Sequence, residues 1–144
     1  MHYFWDVTAL LYTIDMSAYD EVLIENESAT IMSANLDMFD RVANYSRYIH
    51  TEIVIFFTNI SLFRQKIASG NRPIKKWFPA YEGGDLDADS GMDFFTDLVL
   101  RRNRVTSRVC VVEYIYEHDS EILLKLHRCM DIAFKQRKCR IEDA

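Results

Sequence analysis

A short run of large apolar residues, Ile53–Phe57, restricts the fold of this chain more than any other feature. Its five residues, IVIFF, are β-branched or aromatic, and no polar residue interrupts them. Such a run is typical of a strand that is covered on both faces of a parallel sheet. Helical patterns precede and follow it, so we predict a β-α-β arrangement. Because ligands of such sheets bind beyond the carboxyl ends of the strands, the loop Thr58–Ser61 becomes a candidate site.

The remaining apolar patterns complete an α/β domain. Val7–Ile14 and Arg108–Tyr116 read as two further strands, whereas helical spacing predicts four helices. These helices are Glu27–Tyr45, Leu62–Ala68, Met92–Arg102 and Ser120–Gln136. The order is β-α-β-α-α-β-α, and right-handed crossovers then give a short parallel sheet of about three strands with helices on both sides.

The last predicted helix carries an apolar stripe that should pack on the sheet, made of Ile122, Leu123, Leu126, Cys129, Met130, Ala133 and Phe134. We expect it to dock through Ile122, Leu126, Met130 and Phe134, which follow one another at helical spacing. Ser120 is the predicted N-cap because a hydroxyl can accept a hydrogen bond from the first turn.

Length and charge narrow the class of protein. At 144 residues and 49% hydrophobic composition, we expect a single globular domain over residues 1–144. The net charge of −5 gives no overall attraction to nucleic acid or to an anionic membrane. No apolar run approaches the roughly 20 residues of a membrane span. His2 also stands where an N-terminal lipidation signal requires glycine.

Metal and catalytic patterns are weak. Cys110, Cys129 and Cys139 lack metal-binding spacing, which fits reduced thiols in the cytoplasm. The alternating carboxylates of Asp85–Asp89 suggest a calcium loop, but Thr96 falls where a bidentate glutamate is needed, so a solvated acidic loop is favoured. The histidines lie in separate elements, and we predict no catalytic residue and no metal site.

Three motifs together resemble a known family. The run IVIFF-x4-LF-x2-KI occupies residues 53–67, and DVTALLY and SAYDEVL precede it at residues 6–12 and 17–23. This pattern resembles the C-terminal half of the GTPase domain of heterotrimeric G-protein α subunits, from Met1 to Ala144. The resemblance implies a partial Ras-like domain without the family's helical domain, and a family cofactor pair of GTP and Mg²⁺.

GTP hydrolysis requires residues that this sequence lacks. The phosphate loop has the form GxxxxGK[ST], in which backbone N–H groups and a lysine hold the phosphates. The four glycines, Gly70, Gly83, Gly84 and Gly91, do not form it. The resemblance would place this loop and the switch segments upstream of Met1. We therefore expect no bound GTP or Mg²⁺.

The guanine-binding loops of the family also differ here. The resemblance aligns Thr58–Ser61 with Asn-Lys-x-Asp, so Ser61 replaces a carboxylate whose hydrogen bonds to the base are each worth about 1.5–3 kcal/mol. The second loop, Thr-Cys-Ala-Thr, aligns with Tyr114–Glu117, where Tyr116 is bulky and Glu117 would place a negative charge near the base. The degenerate positions are Thr58, Asn59, Ser61, Tyr114, Ile115 and Tyr116.

The family's protein contacts indicate a third group of candidates. Effector contacts in the family follow the first helix, and receptor contacts occupy the C-terminal end. By resemblance, the candidate residues are Tyr45, Arg47, Tyr48, Arg137, Arg140, Ile141, Asp143 and Ala144. Asp143 and Ala144 stand where the family is apolar, and Ile141 stands where some members carry a toxin-modified cysteine. A receptor, an effector or a G-protein chaperone is an expected partner.

Association through a strand edge is a further expectation, either with a second copy of the chain or with a protein partner that donates a strand. The resemblance implies that the strand Val7–Ile14 would be interior in the family, whereas here it becomes a sheet edge without the proline or lysine that protects edges.

Two functions remain open. The first is a truncated G-protein α-like protein that binds no nucleotide and acts through protein contacts. The alternative is a fragment of a working GTPase whose amino-terminal half is missing.

Overall fold

The computed structural model describes residues 7–143 and contains the expected parallel sheet. Strands β1 (Ala9–Asp15), β2 (Glu52–Thr58) and β3 (Cys110–Tyr114) lie in the order β1-β2-β3. Leu11 pairs with Val54, and Val54 pairs with Val111, both in parallel register. His2 and Ala144, which entered the sequence predictions, lie outside the described residues.

Four α-helices connect and follow the strands in the described part of the chain. They are α1 (Ile31–Ala43), α2 (Ile60–Ala68), α3 (Ala88–Leu100) and α4 (Ile122–Glu142). Short 3-10 helices lie at Met16–Asp20, Ser46–Tyr48 and Ile74–Lys76. The predicted order β-α-β-α-α-β-α and the α/β class are confirmed, and the arrangement is that of a partial Ras-like domain.

Strand β2 is buried on both faces, as its composition predicted. Ile53, Ile55 and Phe57 belong to the main core, which they share with α1, α2 and α3. Val54 and Phe56 point to the opposite face, where they pack with Ile115 and with Cys129 of α4. The alternation of strand side chains therefore divides this run between two separate cores.

The main core is rich in aromatic contacts. The Tyr19 and Phe63 rings meet edge to face at 5.5 Å, and Phe78 meets Phe95 at 5.1 Å. Beside them, the buried carboxylate of Asp20 lies 2.7 Å from the Lys66 ammonium. These contacts fix α2 and α3 on one face of the sheet, which sets the direction in which the loop after β2 leaves.

Helix α1 begins later than the predicted Glu27. Thr30 is its N-cap: the Thr30 hydroxyl accepts from the backbone N–H of Ser33, and the Ser33 hydroxyl accepts from that of Thr30. Thr30 also forms an isolated antiparallel bridge with Val22, so the preceding residues are held in an extended turn. The reciprocal cap defines the start of the helix.

Helix α4 corrects two predictions. Its N-cap is Glu121, whose side chain makes no capping hydrogen bond, so the assignment of Ser120 was wrong. The helix also continues to Glu142, beyond Gln136. Asp119 holds the start of the helix instead, since its Oδ1 accepts from the Glu121 N–H at 2.9 Å and its Oδ2 accepts from the Lys125 ammonium at 2.7 Å.

The docking stripe of α4 also differs from the predicted one. Its fully buried residues are Cys129 and Ala133, and Leu126 packs partly against them. Ile122 and Phe134 are 41% and 43% exposed, so the prediction that they dock was wrong. The reason is helical geometry: successive residues are rotated by about 100°, so when Ala133 faces the sheet its neighbour Phe134 points aside.

The described residues show free thiols at Cys110, Cys129 and Cys139. In residues 7–143 we found no helix long and apolar enough to cross a membrane.

Candidate functional sites at the two ends of the sheet

The loop after β2 lies at the carboxyl end of the sheet. Asn59 takes a left-handed conformation with φ of 56°, which an asparagine tolerates, and α2 begins at the next residue. Its side-chain amide donates to Asp15 Oδ2 at 2.8 Å. Asp15 Oδ1 in turn accepts from the Ser17 backbone at 2.9 Å. These contacts join the ends of β1 and β2 through the chain's own side chains.

The side chain of Glu117 contacts the amino-terminal end of α2. Its carboxylate accepts from the backbone N–H groups of Ser61 and Leu62, each at 3.0 Å. These donors belong to the first turn, where N–H groups lack helical partners and the helix dipole is positive. Burial alone would raise the pKa of Glu117, but hydrogen bonds from the Ser61 hydroxyl and from these backbone groups hold that pKa below its usual range.

Sequence reasoning missed this contact. It treated Glu117 only as a charge that a base would meet, because 56 residues separate it from Ser61. The available signal was that a carboxylate is lost at one family loop position and gained at another: Ser61 stands where the family has Asp, and Glu117 stands where it has Thr. Asn59 is the N-cap residue of α2, but its side chain makes no capping hydrogen bond. The Glu117 carboxylate from the neighbouring loop can therefore cap this helix.

The other degenerate positions divide between this site and the core. Ile115 is buried, and its N–H donates to the Phe57 carbonyl at 2.7 Å, while Ile60 donates to the Ile115 carbonyl at 3.4 Å. Tyr114 points to the opposite side, where its ring stacks on Phe57 at 5.9 Å. Thr58 closes β2 with a long contact of 3.5 Å to the Ile14 carbonyl.

Tyr116 covers the outside of the same loop. Its side chain is 39% exposed, and the Lys125 ammonium lies 5.8 Å from its ring centre. Hydrogen bonding to Asp89 raises the pKa of Arg64, and burial opposes that shift while a hydrogen bond to Tyr116 adds to it. A side chain therefore lies over the loop at the position that the family resemblance assigns to a small residue.

The acidic loop has structural partners. Asp87 is the N-cap of α3 and accepts from the Ser90 N–H at 3.0 Å. Asp89 forms an ion pair with Arg64. Within residues 7–143, no three His, Cys, Asp or Glu side chains are placed to hold a metal ion.

The candidate effector-contact residues and the candidate receptor-contact residues lie near each other at the amino end of the sheet. Tyr45 is 52% exposed, and its ring lies 5.8 Å from that of Tyr48. Helix α4 runs back along the sheet, so Arg140 near its end reaches the start of β2, where it pairs with the buried carboxylate of Glu52. Arg47 lies in the 3-10 helix Ser46–Tyr48 before β2 and is exposed.

A pocket opens where these segments meet. Its volume is about 470 Å³, and its lining comes from the loops before β2 and β3 and from α4. The lining residues are His50, Ser107, Arg137, Arg140 and Ile141. Asp143 follows the helix and is exposed. Ala144 lies outside the described residues.

The fold and the carboxyl-end loop define a Ras-like α/β domain, and comparison with known proteins identifies its family. The profile of the G-protein alpha subunit matches residues 1–132. The chain is 33% identical over 111 residues to the guanine nucleotide-binding protein alpha-1 subunit of Saccharomyces cerevisiae, which covers 77% of this chain and 23% of that protein. It belongs to the G-protein alpha-subunit family.

Other relatives give the same result. The alpha-2 subunit of Mycosarcoma maydis is 31% identical over 123 residues, covering 85% of this chain and 34% of that protein. An alpha subunit of Sporothrix schenckii is 33% identical over 118 residues, covering 82% and 31% respectively. The chain thus spans about a quarter to a third of these relatives. The profile match ends before Arg137, so the alignment of the last residues remains a prediction.

Proposed function

We propose that this 144-residue chain functions in G-protein signalling through protein contacts and binds no guanine nucleotide by itself. We also propose that residues 1–144 act as one domain equivalent to the C-terminal half of the family's GTPase domain. The observation that carries the proposal is the contact between Glu117 and the start of α2. It supplies, from within the chain, an anionic partner for the loop that selects guanine in the family.

The electrostatics of this loop support the proposal. The Glu117 carboxylate uses the N–H groups of Ser61 and Leu62, and its depressed pKa indicates that it stays charged at neutral pH. The O6 atom of guanine is a hydrogen-bond acceptor, so a base placed beside this carboxylate would meet an unfavourable contact. Ser61 cannot compensate, because its neutral hydroxyl offers a weaker hydrogen bond than a carboxylate does.

Isothermal titration tests the proposal. We expect no saturable heat when GTP and Mg²⁺ are added to the 144-residue protein, because these residues contain no GxxxxGK[ST] motif. The double variant Ser61→Asp/Glu117→Thr restores one family residue in each base loop and should still fail to bind GTP, because the phosphate contacts are absent. A dissociation constant of about 1 µM, equivalent to −8 kcal/mol, would contradict the proposal. Circular dichroism confirms that each variant is folded.

The short coverage of the relatives favours a second candidate. These 144 residues would then be part of a GTP-binding, GTP-hydrolysing protein whose other segments complete the site. Mixing the chain with the amino-terminal part of the Saccharomyces cerevisiae relative distinguishes the two. GTP binding that appears only in the mixture supports the fragment, whereas its absence, with each part shown to be folded, supports the first function.

We further infer that β1 is a surface for self-association. In the described part of the chain, β1 pairs only with β2, so its outer backbone groups form a sheet edge. Leu11 is 47% exposed on the side facing α4, and Thr13 is exposed beside it. An exposed apolar edge favours pairing with another strand. A receptor, an effector and a G-protein chaperone remain candidate partners for the amino end of the sheet.

A further inference from the structure

The loop between α3 and β3 carries two arginines at a defined distance before a serine. Arg102 and Arg104 stand five and three residues before Ser107. No other serine or threonine of the chain has an arginine three residues before it. Charge patterns around the acceptor give protein kinases their specificity, and some kinases bind arginines at these two places in acidic pockets. The spacing therefore indicates a phosphorylation motif, and the structure shows whether its acceptor is available.

Ser107 lies in an exposed turn of this loop. The Arg108 N–H donates to the Val105 carbonyl at 3.1 Å, so Thr106 and Ser107 occupy the two central positions of a turn. Both side chains are exposed. In the described part of the chain, the Ser107 hydroxyl takes part in no hydrogen bond. Its oxygen is therefore at the surface and is not required by the fold.

Ser69 is a useful contrast, because it has a lysine three residues before it. The Lys66 ammonium is engaged with the Ser17 carbonyl and with the Asp20 carboxylate, each at 2.7 Å. The Ser69 hydroxyl donates to the Lys66 carbonyl at 2.7 Å, at the end of α2. Both the basic residue and the hydroxyl serve the fold there, whereas the Ser107 hydroxyl does not.

The two arginines of the motif are accessible to a partner. Arg104 donates to both carboxylate oxygens of Asp40, at 2.9 Å and 2.8 Å, and 71% of its side chain is nevertheless exposed. Exposed ion pairs contribute little to stability, so a carboxylate of a kinase can replace Asp40. Arg102 donates to the Leu98 carbonyl at 2.7 Å through Nη1. Its guanidinium keeps further N–H groups for a second acceptor.

The residue after Ser107 anchors the turn. Arg108 is 5% exposed, and its guanidinium donates to the carbonyls of Ala43 at 2.7 Å and Tyr48 at 2.6 Å. Strand β3 begins at Cys110. These contacts hold the carboxyl-terminal side of the turn on the domain, so Ser107 is presented at a fixed place on its surface.

The residues before Ser107 are held by weaker contacts. The Arg104 N–H donates to Asn44 Oδ1 at 3.0 Å, and Asn103 Nδ2 donates to the Val105 carbonyl at 3.1 Å. Each is a neutral hydrogen bond in an irregular loop, and the net contribution of such a bond is small. The side of the turn that carries both arginines can therefore open locally to enter a kinase while β3 stays paired.

We propose that Ser107 is a phosphorylation site for a serine/threonine protein kinase that selects arginine three and five residues before the acceptor. Ser107 Oγ attacks the γ-phosphorus of the ATP that the kinase holds. The bond from that phosphorus to the oxygen of the β-phosphate breaks, so ADP leaves. The hydroxyl proton passes to the catalytic aspartate of the kinase.

The position of Ser107 gives the modification a consequence. Its side chain lines the pocket at the amino end of the sheet, together with His50, Arg137, Arg140 and Ile141. A phosphate adds a charge of about −1.5 to −2 at neutral pH. Phosphorylation therefore changes the charge of the surface that contains the candidate receptor-contact residues. This consequence rests on the proposal that the chain acts through protein contacts, whereas the phosphorylation site itself does not.

Phosphorylation of the folded chain in solution tests the site. The 144-residue protein is incubated with such a kinase, Mg²⁺ and radiolabelled ATP, and mass spectrometry of a digest locates the phosphate. We expect Ser107→Ala to abolish incorporation. Thr106→Ala removes the other exposed hydroxyl of the turn, which has Asn103 three residues before it, and should leave incorporation within about twofold.

A second pair of variants tests the basic motif. Arg104→Gln should lower the initial rate about tenfold, because one charge-assisted contact with the kinase is lost. Arg101→Gln removes the same charge from an exposed position outside the motif, and should change the rate less than about twofold. If Arg104→Gln does not fold, judged by circular dichroism, Ser107→Ala decides the matter, because the Ser107 side chain is exposed and supports no packing.

Three outcomes would overturn the proposal. Phosphate located at another residue would assign the acceptor elsewhere. Equal losses in Arg104→Gln and Arg101→Gln would show general charge attraction. A synthetic peptide of residues 101–110 shows that the kinase is active, and phosphorylation of this peptide but not of the folded protein would show that the turn stays closed. None of these results changes the outcome of the GTP titration, so the two proposals stand or fall separately.

Discussion

The two faces of the sheet are closed to different degrees. Helices α1, α2 and α3 cover one face, where a continuous core runs from Ile14 to Val99. On the other face, α4 alone makes a small cluster of Val54, Phe56, Ile115 and Cys129. Strand β1 shows the contrast within itself, since Ile14 is fully buried on the first face whereas Leu11 is 47% exposed on the second.

The contrast shows that an apolar strand sequence does not say what covers it. Both β1 and β2 have apolar sequences, and only β2 is buried on both faces in the described structure. Strand β2 has neighbours on both sides and helices above and below. Strand β1 lies at the edge, and α4 packs mainly over β2 and β3. The cover of Leu11 depends on which elements lie beside the strand rather than on the local sequence.

Adjacent phenylalanines of β2 give the most direct test of the comparison. Phe57→Ala removes a fully buried ring from the main core, and we expect a loss of about 4 kcal/mol in the free energy of unfolding. Phe56→Ala removes a ring that is 3% exposed from the smaller cluster. Its cost should be nearer 3 kcal/mol, because α4 can move to fill part of the cavity.

Urea denaturation of both variants measures the difference at two adjacent positions of one strand and with the same change of side chain. Equal losses, or a larger loss for Phe56→Ala, would mean that α4 is held as rigidly as the three-helix face. The two faces of the sheet would then be packed equally well.

A smaller effect is expected along α4 itself. Leu126 is half-buried against the second cluster, so Leu126→Ala should cost about 1 kcal/mol, below the 2–5 kcal/mol of a fully buried leucine. Phe134→Ala should cost less than about 0.5 kcal/mol, because Phe134 is 43% exposed. Thermal and chemical unfolding measure both. A loss above 2 kcal/mol for Phe134→Ala would restore the docking stripe that the sequence predicted.

The sequence predicted the fold better than the contacts. Periodicity identified each of the three strands and four α-helices in the described residues, because β2 and the amphipathic α1 carry strong apolar patterns, but it did not identify the three short 3-10 helices. It failed at the ends of α4, where Glu121 takes the N-cap position without a side-chain cap and the helix continues to Glu142. It also failed to select which residues of the α4 stripe dock, because the apolar residues of this helix extend around more of it than the side that packs on the sheet. The contact of Glu117 with Ser61 depends on the spatial arrangement of two loops, which periodicity does not contain.

The geometry of a homodimer bears on the open face. A two-fold pairing of β1 with its symmetry mate would place both α4 helices on the same side of one continuous sheet. With strands about 4.8 Å apart and α4 over β2 and β3, the helix axes would lie about four strand spacings apart, or roughly 19 Å. Packed helices lie about 8–10 Å apart, so such a dimer would leave a groove one helix wide. Self-association through β1 alone should therefore be weak.

Leu11→Lys tests this edge with the smallest expected effect on stability. Leu11 is half-exposed, so the change in the free energy of unfolding should stay within about 0.5 kcal/mol. Association should fall, because a lysine on an edge opposes pairing with a second strand. Light scattering after gel filtration should give a mass between monomer and dimer for the natural sequence at tens of micromolar and a monomer for the variant.

Leu86→Lys makes the same substitution at a position 67% exposed, away from the edge, and should associate like the natural sequence. A stable monomer of the natural sequence, with the amides from Leu10 to Thr13 protected from exchange, would show that the chain covers its own edge and that the second face is closed.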